Sequence, residues 1–88
     1  MNDNLFHLKI VAKDGILFDG EIKSLTSYND NGKFDILALH ANFISIIYKS
    51  IIIVDSKGGK REMDIEKALL KNKENNLEIY LGIDNISA

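Results

Sequence analysis

Phe6-His7-Leu8-Lys9-Ile10-Val11-Ala12-Lys13-Asp14-Gly15-Ile16-Leu17-Phe18-Asp19-Gly20 is the stretch that decides the fold. Phe6, Leu8, Ile10 and Ala12 alternate with His7, Lys9 and Lys13, the period of two expected of a half-buried strand. Asp14-Gly15 interrupts it as a turn signal, because glycine reaches positive φ without a steric cost. Ile16-Leu17-Phe18 reads as a short strand, and Asp19-Gly20 as a second turn signal.

Working outward, the same pattern repeats. Residues 21–28 read as a strand whose apolar phase slips between Ile22 and Leu25. One extra residue produces such a slip, which predicts a β-bulge near Lys23-Ser24. Asn29-Asp30-Asn31-Gly32 is the strongest turn of the chain, since all four residues tolerate or favour turn geometries. Phe34 to Leu37 is a short strand after it. Phe43 to Tyr48 and Ile51 to Val54 read as two strands broken at Lys49-Ser50. Both of their faces are apolar, which implies burial on two sides or an interface. Ser56-Lys57-Gly58-Gly59 reads as a hairpin turn into Lys60 to Ile65. Ala68 to Leu70 is a further short strand. Asp64 to Asn72 also has a helical face, but its flanking turns favour the strand. Lys71 to Asn76 reads as a polar turn, and Leu77, Ile79 and Leu81 alternate in the last strand. The sum is nine or ten short strands, the pattern of an all-β sandwich or barrel.

The bulk numbers narrow the possible roles. At 88 residues, positions 1–88 form a single domain. The chain has no cysteine, so neither disulfides nor a thiolate metal site can help a small core. His7 and His40 are far apart and show no ligand spacing. Formal net charge is -2, and the 11 basic residues are scattered apart from Lys57 to Arg61. Nucleic-acid binding needs a basic stripe to neutralise phosphates, and none is visible. Residues 1–20 lack the layout of a signal peptide. Ile44 to Val54, the most apolar stretch, is broken by Ser45, Lys49 and Ser50 and is too short to span a bilayer as a helix. The expectation is a soluble protein that inserts in no membrane and meets one only through a partner.

No motif carries chemistry. Asp14 and Asp19 sit beside turn glycines, where aspartate usually bonds its own backbone. Lys57-Gly58-Gly59-Lys60 is too short for a phosphate loop and leads into a strand rather than a helix. His40 has no serine, cysteine or acid at motif spacing to make it a catalytic base. No cofactor is implied, and an enzyme is the least favoured class. The run from Ile44 to Ile53 fits a sandwich core, while a contiguous exposed part of it would mark a protein–protein contact.

One further set of residues is specific. Phe6-His7-Leu8-Lys9-Ile10-Val11, the G-x-x-F-x-G of Gly15 to Gly20, Asn31-Gly32-Lys33-Phe34-Asp35-Ile36-Leu37 and His40-Ala41 follow one another in order. This series resembles the N-terminal domain of the epsilon subunit of F-type ATP synthases (delta in mitochondria), over roughly residues 5–82. The resemblance implies an all-β, two-layer β-sandwich of about ten short strands, here without the family's C-terminal helical hairpin. It implies a non-catalytic subunit of the central stalk, on the cytoplasmic side of the membrane and peripheral through its complex. The implied partners are the gamma subunit, touched by Ala12 and Ser45, and a membrane c-ring beneath Asn31, Gly32, Lys33 and His40.

Departures from the family pattern bear on the ring. The family's Pro-Gly before the histidine is Ala38-Leu39 here, and the proline after His-Ala is Asn42. At Lys33 many members carry an acid that faces a basic loop of the ring, so a lysine there meets like charge. An epsilon-like subunit of a specialised motor without the usual ring, as proposed for gliding motility, is therefore a variant reading. A free-standing binding module, such as one for single-stranded nucleic acid, is the reading from a different class. It would need aromatic residues within a basic groove, and most aromatics here sit at core-like positions.

Overall fold

A computed structural model describes residues 4–39 and 41–82 of the chain. They form six β-strands and no helix: β1 (Phe6–Ala12), β2 (Gly15–Asn29), β3 (Gly32–Leu37), β4 (Phe43–Asp55), β5 (Lys60–Lys73) and β6 (Asn76–Leu81). The strands make one sheet in the order β1-β6-β5-β4-β2-β3, closed into a barrel-like form by pairing of β1 with β2. Every pairing is antiparallel except that of β1 with β6.

The expected count of about ten strands is corrected to six. The breaks read at Asp19-Gly20, at Lys49-Ser50 and between Ile65 and Ala68 are bends inside long strands, not ends of short ones. The two halves of such a strand serve different neighbours. β2 pairs with β1 from Gly15 to Ile22, then with β3 from Ser24 to Asn29, and its second half also borders β4. β5 pairs with β4 along most of its length, but with β6 only from Ala68 to Lys73. The predicted bulge is present: against β4 the register shifts between Ile22 and Ser24. Turns fall at Asn29 to Gly32 and at Ser56 to Gly59 as read from the sequence, and the first turn lies at Lys13-Asp14, with Gly15 already opening β2. The last turn is narrower than expected, at Glu74-Asn75, because β5 runs on to Lys73.

Both ladders of β4 are interrupted at residues 48–51. Against β2 the ladder steps from Ile52 to Tyr48 while β2 advances only from Thr26 to Tyr28. Lys49 takes a positive φ of 71° there, and its ammonium lies 5.0 Å from the centroid of the Tyr28 ring. The step passes Ser50, whose carbonyl oxygen instead accepts a 2.8 Å hydrogen bond from the Ser27 hydroxyl. Both residues are buried, so the bond satisfies backbone that the ladder leaves out. Among the described residues no buried side-chain nitrogen or oxygen lacks a partner.

Inside the closed sheet, Phe6, Leu8 and Ile10 of β1 meet Ile22 and Leu25 of β2, Ile36 of β3, Ile47, Ile51 and Ile53 of β4, Ala68 and Leu70 of β5, and Leu77 and Ile79 of β6. Strand alternation delivers one side chain in two to this core. Asp55 shapes the β4–β5 hairpin: its Oδ1 accepts from the amides of Gly59 (2.8 Å) and Lys57 (2.9 Å). Those two amides, Gly59 first, hold the Asp55 carboxyl below the usual carboxylate range. From the same hairpin, the Arg61 guanidinium lies 5.5 Å from the centroid of the Phe18 ring on β2, tying two stretches of sheet that share no ladder.

Two substitutions measure this account by urea unfolding. Leu8→Ala is expected to lose about 2–5 kcal/mol, the range for a large-to-small change in a closed core. Ser27→Ala is expected to lose about 1–3 kcal/mol by leaving the Ser50 carbonyl short of a donor, against under about 0.5 kcal/mol for the exposed Ser56→Ala.

Candidate docking face

The alternation that fills the core also orders the outside. On β1, β6, β5 and the start of β4, outward residues line up across the strands because their registers are fixed. One row runs Ile46–Leu69–Tyr80–Val11–Ile16, each a Cα partner of the next, across five strands from β4 to β2. All five side chains keep some solvent exposure. Cross-strand neighbours on one face are close enough to make a continuous surface, so this row is an apolar band on the outside of a small domain.

Beside it runs a charged row. Ile44, 66% exposed, is followed by Lys71, Glu78, Lys9 and Asp19, with the sign alternating at each strand. A third row holds Lys73, Asn76, His7 and Glu21. The charged rows neutralise themselves across the ladder, so no net field accompanies the apolar band. Tyr80 links the first two rows by donating its hydroxyl to Glu78 at 2.7 Å. That bond to a carboxylate, with partial burial, pushes the Tyr80 pKa up.

His7 closes the polar side. Its Nε2 lies 2.6 Å from Asp19 Oδ1 and its Nδ1 3.0 Å from Glu21 Oε2. Both nitrogens can donate to carboxylates only in the imidazolium form. Its pKa is accordingly raised, by Glu21 first; burial opposes the rise, and Asp19 adds to it.

A second interlock ties residues 39, 41 and 42 to the end of β5 and the turn after it. The Leu39 amide donates to Asn75 Oδ1 at 2.6 Å, and Asn42 Oδ1 accepts from the Glu74 amide at 2.9 Å. The Asn72 amide nitrogen donates to the Ala41 carbonyl at 3.0 Å. Leu39 is 80% exposed and held at a φ of 65°.

The residues singled out from sequence are placed as follows. Ala12 ends β1 opposite Gly15, half-buried and next to Val11 of the apolar band. Ser45 is half-buried in β4 beside Ile46, and its hydroxyl donates to the Ile46 carbonyl at 3.2 Å. Asn31, Gly32 and Lys33 are exposed at the β2–β3 hairpin, with Lys33 opposite Tyr28. His40 lies outside the described residues. Asn31 and Ser45, assigned to different sides, line one open cleft of about 400 Å³ together with Asp30 and Lys67. Sequence reasoning did not single out Val11, Leu69 and Tyr80. Their signal lay only in cross-strand register, which no single strand displays. Among the described residues no group of three or more histidines, cysteines and acids is placed to hold a metal ion, and no helix is long and apolar enough to cross a membrane.

The fold and surface thus define a small closed β-domain with an apolar band on its outer face. Comparison with known proteins gives it a family. The model of the family described as ATP synthase, Delta/Epsilon chain, beta-sandwich domain matches residues 5–81, and the chain belongs to that family. An ATP synthase epsilon chain of Clostridium botulinum (strain Alaska E43 / Type E3) is 34% identical over 76 residues, covering 85% of this chain and 57% of the relative. One of Nitratiruptor sp. is 34% identical over 55 residues, 62% of this chain and 43% of the relative. The chain therefore spans about half the length of the curated relatives it matches. Two solved assemblies contain chains of similar fold. One is the Euglena gracilis mitochondrial ATP synthase (OSCP/F1/c-ring), with a TM-score of 0.81, 15% identity, and coverage of 89% of this chain and 51% of that one. The other is the central stalk and c-ring of the Tetrahymena thermophila enzyme, with a TM-score of 0.69, 11% identity, and coverage of 92% and 72%.

The His7 bridge has a signed consequence. A folded-state pKa above the ordinary 6.5 gives stability that is complete below pH 6.5 and fades as pH rises through the folded value. Unfolding followed from pH 5 to 9 should show this decline, and His7→Gln should remove it; the effect is small because the pair is exposed.

Proposed function

We propose that this chain is a non-catalytic, epsilon-type subunit of the central stalk of an F-type rotary ATPase, binding the gamma subunit and helping couple rotation to ATP synthesis or hydrolysis. The observation that carries the proposal is the apolar band on a domain of this family. A band of partly exposed Ile46, Leu69, Tyr80, Val11 and Ile16 gains free energy only when another surface covers it. Ala12 and Ser45 adjoin Val11 and Ile46 of the band along the chain but alternate to the other face, Ser45 opposite the buried Leu70, so the gamma contact that the family resemblance assigns them is separate from the band. The alternating charges beside the band leave apolar burial, rather than net charge, to drive the docking. In this reading the closed sheet works as a flattened two-layer sandwich, with one layer turned to the shaft. The protein sits on the cytoplasmic side of the membrane, attached through its complex and not inserted.

The Asn31-Gly32-Lys33 hairpin tip, with His40, is assigned to the side facing a c-ring. Lys33 is exposed there, and it favours a second reading, an epsilon-like subunit of a specialised motor whose ring is altered or absent. Lys33→Glu separates the two. Stronger attachment to a reconstituted c-ring supports the ordinary stalk position, and no change supports the specialised motor.

Co-purification tests the main proposal. Native protein expressed with its gamma partner should be recovered as a stable pair. Leu69→Glu should weaken the pair at least about a hundredfold, since an unpaired carboxylate in a buried contact costs roughly 3 kcal/mol or more. Recovery of the native chain as a lone monomer would overturn the proposal.

A further inference from the structure

β3 is the last strand in the sheet order and pairs only with β2. Its other edge meets no strand among the described residues. Asn29 and Gly32 close the β2–β3 turn as Cα partners, so they exchange their hydrogen bonds directly. Backbone groups alternate in direction along an antiparallel ladder, so Gly32, Phe34 and Ile36 turn theirs to β2. Lys33, Asp35 and Leu37 turn theirs to the open edge. The side chains of the same residues are exposed, while Ile36 is buried and Phe34 packs against the core.

Proteins blunt such edges with proline, with a bulge, or with a charge that an approaching strand cannot match. β3 has no proline, and its ladder with β2 runs without a shift of register. Its charges are Lys33 and Asp35, two residues apart on one face. Lys33 forms no ion pair among the described residues. Asp35 accepts from the Thr26 hydroxyl through Oδ1 at 2.6 Å, which steadies the carboxylate and leaves Oδ2 to accept again. Opposite charges two apart make a strand complementary to an antiparallel copy of itself. With a two-fold axis through Phe34, Lys33 of each copy faces Asp35 of the other, and both pairs also exchange main-chain hydrogen bonds. Centring on Lys33 or on Asp35 sets like charges opposite each other, and centring on Ile36 sets Asp35 against Leu37. A slip of one residue sets exposed residues against inward-facing ones. One register satisfies backbone and charge together.

We propose that the open edge of β3 docks a second copy of this chain, β3 against β3, in the register centred on Phe34. Main-chain hydrogen bonds join the two sheets into one, and the Lys33–Asp35 pairs fix the register. The contact is one short strand from each copy, well below the size of a permanent dimer interface, so the pair is weak and reversible. The apolar band takes no residue from β3, so the pairing neither needs nor blocks the docking of gamma. It does cover Lys33, and a paired chain cannot offer that side chain to another surface.

Sedimentation equilibrium of the full chain, from about 10 μM to about 1 mM, tests the inference. The native chain is expected to pass reversibly from monomer to dimer over that range. Lys33→Glu alone and Asp35→Lys alone should each lower the association constant at least about tenfold, because each sets like charges in both pairs. An equimolar mixture of the two variants should associate at least as well as the native chain, since one copy is then acidic and the other basic at both positions. Circular dichroism checks that each variant is folded. Lys33→Glu, at an exposed side chain outside every ion pair of the described residues, carries the test if Asp35→Lys is not. A native chain still monomeric at about 1 mM, or a dimer whose strength Lys33→Glu leaves unchanged, would overturn the inference. So would a mixture of the two folded variants that associates no better than either alone. The gamma reading is decided separately, by co-purification, and stands or falls independently of these results.

Discussion

A long strand can serve two parts of a small barrel only if it turns a corner without stranding its backbone in the core. In this protein that constraint is met where β2 and β4 cross. The β2 ladder skips the stretch of β4 around Ser50, and the buried Ser27 hydroxyl takes up the Ser50 carbonyl at 2.8 Å. With the corner held, Ile47 before it and Ile51 and Ile53 after it all point inward. The first half of β4 is then free to border the second half of β5, which carries β6 and, through it, β1. Without the corner the sheet does not close, and the outward rows on its far side do not align.

Closure is therefore what makes a surface out of scattered residues. Val11, Ile16, Ile46, Leu69 and Tyr80 come from five strands and become neighbours only through register. The same registers interleave Lys71, Glu78, Lys9 and Asp19 so that they neutralise one another. In the proposed stalk position such a band would be held by burial, which depends little on ionic strength.

The sequence made the class of fold legible because alternation is local. Phe6, Leu8 and Ile10 declare their strand unaided, and so do Leu77 and Ile79. The turns were equally plain, since Asn29 to Gly32 and Ser56 to Gly59 carry their own backbone preferences. The strand count was not legible. Gly20 and Lys49-Ser50 look like ends, and only the pairing partners show that the chain runs through them. At the candidate site, the two apolar faces of Phe43 to Tyr48 pointed toward an interface, and Ile44 does stand open to solvent. The family motif pointed to Ala12 and Ser45, which stand next to Val11 and Ile46 in the chain but alternate to the other face of their strands. Leu69 and Tyr80 were out of reach, because each is one apolar residue in an ordinary strand until its neighbours are known.

Hydrogen exchange of this chain, alone and mixed with the proposed gamma partner, addresses the central claim most directly. The account predicts new protection at residues 44–48, 67–71 and 78–81, where the band crosses β4, β5 and β6, with little change at the β4–β5 hairpin. Protection confined to that hairpin or to β3, with the band still exchanging freely in the complex, would contradict it.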